Sequence, residues 1–146
     1  MKKALLFLLL TTQLFATDTK GIETLSAELR ALLSEEMIAL EKGMHSIFSS
    51  IISGDYEDIS QKAEKIQNSF ILKQKLTPSQ RKELQTKLPK GFIELDKGFH
   101  EDAGELVNAA EFSDRELVNK YFFKMTKTCV KCHSTYASSR FSNFEE

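Results

Sequence analysis

IETLSAELRALLSEEMIALEKGMHSIFSSII, residues 22–52, carries apolar side chains at Ile22, Leu25, Leu29, Leu33, Met37, Leu40, Met44, Phe48 and Ile51. Every step is three or four residues, so the spacing predicts one long helix with a single apolar face. Ser53, Gly54 and Asp55 follow, and a glycine just past the last periodic residue ends such an element. A helix of this kind has to bury its stripe against other helices.

The same period recurs downstream. A second helix starts near Asp55 and carries Ile59, Ala63, Ile66 and Phe70, and the polar stretch around Lys73 to Lys75 closes it. Thr77-Pro78 reads as an N-cap followed by proline at the first helical position. Leu84 and Leu88 extend a short stripe to Pro89, which should break or kink the element. Phe92, Leu95, Phe99, Ala103, Leu106 and Ala110 define a third long helix. The last helix opens at Ser113-Asp114-Arg115-Glu116, read as a capping box between Ser113 and Glu116. Its stripe runs Leu117, Tyr121, Met125, Cys129, Cys132 and Tyr136. No stretch alternates with a period of two for long enough to suggest a strand, and there is no internal repeat. The expected fold is all-α, an antiparallel four-helix bundle.

The N-terminus addresses the compartment. Met1-Lys2-Lys3 supplies a positive start, Ala4 to Leu10 an apolar run, and Ala16 a cleavage point. The run is too short to span a bilayer, so residues 1–16 read as a removed secretory signal and 17–146 as one domain. The whole chain has 20 Lys and Arg against 21 Asp and Glu. Loss of Lys2 and Lys3 makes the mature chain more acidic still, which argues against a nucleic-acid partner.

Two cysteines in an exported chain ordinarily suggest a disulfide. Here they stand as Cys129-Val130-Lys131-Cys132-His133, the C-x-x-C-H pattern of c-type haem attachment. Two thiols three residues apart share a helix face, and each can add across a haem vinyl group. His133, one turn beyond Cys129, can point its imidazole at the iron. Attachment of c-type haem takes place outside the cytoplasm in bacteria, so export and motif agree. Three other readings compete: a disulfide between Cys129 and Cys132, zinc held with His45 or His100, and two buried thiols beside a surface histidine. A thioredoxin-like site would open a helix after a strand, and a closed zinc site needs four ligands. His100 and His45, both flanking apolar stripes, are weighed as iron ligands and read first as partly exposed side chains. Phe48, Phe70, Phe92, Phe99 and Phe122 are core, some of them around the haem.

With this motif near the C-terminus of an exported four-helix chain, the sequence resembles the cytochrome c-prime family, and most closely its low-spin, methionine-ligated members. The likeness runs from about Leu29 to Tyr136, with Lys90-Gly91-Phe92 through Phe99-His100 to Ala109-Ala110 similar to the family's third helix. It implies one haem near one end of the bundle, with the motif histidine on the solvent-facing side of the iron and the first helix opposite. Tyr136 fills a family aromatic position and is carried over as haem packing. A basic residue usually follows it; here Ala137 does, and the first basic side chain is Arg140.

Counting back from Gly54, the family's distal position falls within one residue of Met37, on Ile38 if no gap is allowed. Met37 lies on the apolar stripe, and Ile38 is rotated about 100° off it. Met44 lies about 10 Å further along the axis, too far for one haem to take both methionines. The resemblance then implies a periplasmic, non-enzymatic carrier of single electrons with a His133/Met37-ligated haem c and a redox protein as partner. A homodimer through the first two helices fits the same likeness. A five-coordinate centre binding nitric oxide or another small gas is the alternative within haem chemistry. A helical binding protein with a disulfide or zinc at the motif is the alternative outside it.

Overall fold

The computed structural model describes residues 22–69 and 76–144. The signal segment 1–16, Phe70 and Lys73 to Lys75 lie outside the described residues. A 3-10 turn, Ile22–Thr24, leads into α1, Ala27–Ser53, and the expected single helix from Ile22 is therefore interrupted. The reason is local: the Ser26 side chain accepts from the Leu29 N–H at 3.4 Å and so caps the helix one residue on. Gly54 ends α1 with φ 72°, a left-handed conformation that glycine adopts without penalty.

Helix α2, Tyr56–Asn68, is capped by Asp55, whose carboxylate accepts from the Asp58 N–H at 3.0 Å. Helix α3, Pro78–Lys87, has the expected Thr77 cap, here a full capping box with Gln80. Helix α4 is Lys90–Glu111 and α5 is Arg115–Tyr136. Two further 3-10 turns, Ser138–Arg140 and Ser142–Phe144, follow α5. No described helix is long and apolar enough to cross a membrane.

Ties between helices set the topology. Ser50 donates to the Asp58 carboxylate across the α1–α2 turn. The Ile66 carbonyl of α2 accepts from His100 Nδ1 of α4 at 2.7 Å, and Lys124 of α5 donates to Asp102 of α4 at 2.6 Å. The four long helices thus run up, down, up and down, with α3 in the long connection between the second and the third. Helix α3 lies across the end where α1 begins: Glu83 accepts from the Ser26 N–H at 2.7 Å, and Lys87 donates to the Thr24 carbonyl at 2.9 Å.

The core divides into two clusters. The larger fills the middle of the bundle with Leu40, Ile47, Ile59, Ile66, Phe99, Leu106, Val118 and Met125. The smaller, at the α3 end, joins Leu25, Leu29, Leu33, Leu76, Leu84, Leu88 and Phe92. Each buried leucine contributes on the order of 2 kcal/mol, enough to fasten α3 down.

Three details differ from expectation. In the second half of α1 the core position is Ile47, fully buried, while Phe48 is 54% exposed. In α5 the first core residue is Val118, and Leu117 faces outward. Asp114, not Ser113, caps α5, accepting from the Leu117 N–H at 3.0 Å. Ser113 instead takes φ 53° and closes the end of α4, its N–H bonding the Ala110 carbonyl at 2.9 Å. One residue cannot serve both ends.

Candidate functional site

Helix α5 carries the motif to the bundle end where α1 begins and α3 crosses. Cys129 is half-buried against the larger cluster. Cys132 and Tyr136, one turn and two turns on, pack against the smaller one. Both thiols are free. Burial pushes the Cys129 thiol above its ordinary value. Burial first, then the charges of Asp96 and Cys129, pushes Cys132 up to about 12. A redox-active pair needs a thiol lowered towards neutrality, the opposite of what this environment does. Among the described residues no group of three His, Cys, Asp or Glu side chains could hold a metal ion, so zinc finds no closed ligand set there.

His133 is half-buried and lies flat on Phe141, ring centroids 4.3 Å apart and planes 15° from parallel. Its pKa is lowered, by desolvation first and by the charge of Arg140 second, which favours the neutral imidazole, the metal-binding form. Arg140 therefore acts at the motif histidine from one turn beyond Tyr136. Tyr136 meets Phe92 edge-on at 5.7 Å, and a Cβ at residue 91 would overlap its hydroxyl, so Gly91 is what admits the ring.

On α1, Leu33 belongs to the smaller cluster with Cys132, and Met37 packs on the larger one with Cys129. Leu33 and Met37 thus stand where α1 passes from one cluster to the other, as Cys132 and Cys129 do on α5. Ile38 is 48% exposed and off the core. Met44 packs on the larger cluster two turns away, next to Gly43, where α2 comes close enough for Ile66 to touch a modest side chain.

His100 is buried, not partly exposed as its place beside the stripe suggested. Its Nε2 stands 3.8 Å from Glu36 Oε1 and 3.8 Å from Asp96 Oδ1. Burial pushes the Asp96 carboxyl up to about 7. His45 is exposed on α1. Glu36 and Asp96 were missed by the sequence reading, though a signal existed. Glu36 falls three residues after Leu33 and four before Leu40, and Asp96 four after Phe92 and three before Phe99, both on core spacing. The three side chains form a polar island inside the bundle beside Cys132.

The donor chemistry fits a haem of c type. Two thiols share one helix face, each abutting an apolar cluster able to hold water away. An imidazole biased to its neutral form stands next to them.

No curated protein and no solved structure matches the chain. A family model described as Cytochrome C' matches residues 33–137, from within α1 to the residue that ends α5. That span holds most of α1, the other long helices and the whole motif, and the bundle has the family's architecture, so the chain belongs to the cytochrome c' family.

Proposed function

We propose that this protein is a periplasmic monohaem c-type cytochrome that carries single electrons. Cys129 and Cys132 would join its haem to α5, and His133 and Met37 would hold the iron. The observation that carries this reading is the place of Met37 at the junction of the two clusters: it packs on the cluster that Cys129 packs on, one turn after Leu33, which shares the other cluster with Cys132. Ile38, the competing position, is exposed.

Bound haem supplies an iron centre that changes oxidation state by one electron. The chain's own residues do the rest. The two cysteines fix the group to α5. His133, whose pKa is lowered by burial first and by the charge of Arg140 second, would hold the iron through a ring nitrogen. Met37 would hold the iron from the α1 side, which would leave no coordination position for a small gas. Phe92, Tyr136 and the leucines of the smaller cluster keep water from the site, which limits solvent rearrangement during transfer. A thioether ligand together with histidine would also raise the reduction potential relative to histidine alone. The partner is another redox protein.

Protein matured with haem-attachment machinery should keep its haem through acid-acetone extraction and show a low-spin spectrum in both oxidation states. Extractable haem, or colourless protein holding zinc or a disulfide, would overturn the attachment. A high-spin spectrum would transfer the lead to the gas-binding reading.

A further inference from the structure

We propose that Phe141 is a positioning residue for His133, its ring fixing the plane of the imidazole and closing the ring's solvent-facing side. The inference rests on the reading of His133 as an iron ligand. It is carried by the stack itself, 4.3 Å between centroids at 15°, and by the way the chain after α5 is built to deliver it.

The orientation of a histidine ring about its last torsion is broad and is not set by the helix that carries it. A ligating histidine therefore needs a neighbour to hold its plane, usually a hydrogen-bond partner on the second ring nitrogen. Coordination uses a lone pair lying in the ring plane, so both faces of the ring stay open to stacking. A flat aromatic face can hold the plane from the side, and Phe141 offers one.

The tail that presents Phe141 is tied at several points. Ala137 is buried, and its N–H donates to the His133 carbonyl at 3.1 Å. The Phe141 N–H donates to the Ala137 and Ser138 carbonyls at 3.1 and 2.9 Å. Ser139 Oγ donates to Glu23 Oε1 at 2.6 Å, fastening the tail to the 3-10 turn ahead of α1. The chain therefore turns back at Ala137 and lays residue 141 over residue 133.

The test uses mature holoprotein in the ferric state and reads the four haem methyl resonances by proton NMR, whose order and spread follow the plane of the axial imidazole. Phe141→Ala should reorder the four resonances or change their spread by at least half, and Phe141→Tyr, which keeps the flat ring, should restore the wild-type pattern. Phe141→Leu fills similar volume without a flat face and should behave as the alanine variant does. An unchanged pattern in Phe141→Ala, or a wild-type pattern in Phe141→Leu, overturns the proposal. His133→Ala separates the two layers: if it leaves the pattern of the unsubstituted protein intact, His133 is not the ligand, and the positioning role falls with it.

Discussion

Replacing Asp96 by Asn should make the folded protein more stable, and increasingly so as the pH rises. Asp96 sits on the core spacing of α4, its side chain 11% exposed, with His100 Nε2 at 3.8 Å. Burial raises its carboxyl from 3.8 to about 7, so the folded state holds this proton more tightly than the unfolded chain does. Below the unfolded value both states are protonated and nothing is lost. Between the two values the unfolded state ionises and the folded state does not, which favours unfolding, and the penalty is complete above the folded value. A displacement of about three pH units corresponds to roughly 4 kcal/mol at its limit, and the part that accrues between pH 5 and pH 8 is roughly 2–3 kcal/mol. Asn has nearly the same shape and never carries the charge. Urea unfolding of the holoproteins at the two pH values reads the effect, and thioether-attached haem stays on the unfolded chain. The stability gain of Asp96→Asn should be larger at pH 8 than at pH 5 by about that amount. Parallel pH profiles would refute the claim that the bundle holds this carboxyl protonated near neutrality.

Three further outcomes are expected. Cys129→Ala with Cys132→Ala should give protein that is colourless or loses its haem on extraction, whereas retention of acid-resistant haem would place the attachment elsewhere. His133→Ala should leave attachment possible but abolish the ferric and ferrous spectra of the wild type at neutral pH; identical spectra would remove His133 from the iron. Ser113→Gly should stabilise the bundle by about 1 kcal/mol, because a side chain in the left-handed region is costly and glycine escapes the penalty. Ser113 has φ 53°, and a urea midpoint that does not rise would show that the conformation is relaxed at little cost.

The period of the apolar residues made the helices readable, and Thr77, Gly54 and Asp55 marked their ends where expected. What periodicity could not settle was which of two adjacent apolar residues turns inward. Ile47 against Phe48, and Val118 against Leu117, differ by about 100° on the helix, and only the neighbours decide. Ile47 lies seven residues from Leu40 on a face narrowed by the close approach of α2 at Gly43. Ser113 misled because it matches a capping pattern, while the preceding helix needed it as its own left-handed end. The motif Cys129 to His133 was legible because it is contiguous, all within one turn of a single helix. The polar island was hidden for the opposite reason: Glu36, Asp96 and His100 come from two helices far apart in sequence and meet only when the bundle closes. Phe141 was invisible as well, since its contact with His133 depends on a reversal of chain direction at Ala137.

Carbon monoxide binding to the ferrous holoprotein tests the central claim most directly, since it asks whether the interior coordination position is already taken. With Met37 on the iron, the wild-type protein should be low-spin and bind carbon monoxide slowly or not at all. Met37→Ala should be high-spin and bind it quickly, and Met44→Ala should behave as the wild type. A wild-type protein that is high-spin and takes up carbon monoxide as fast as its Met37→Ala variant would make Met37 a core side chain only, and the protein a gas binder rather than an electron carrier.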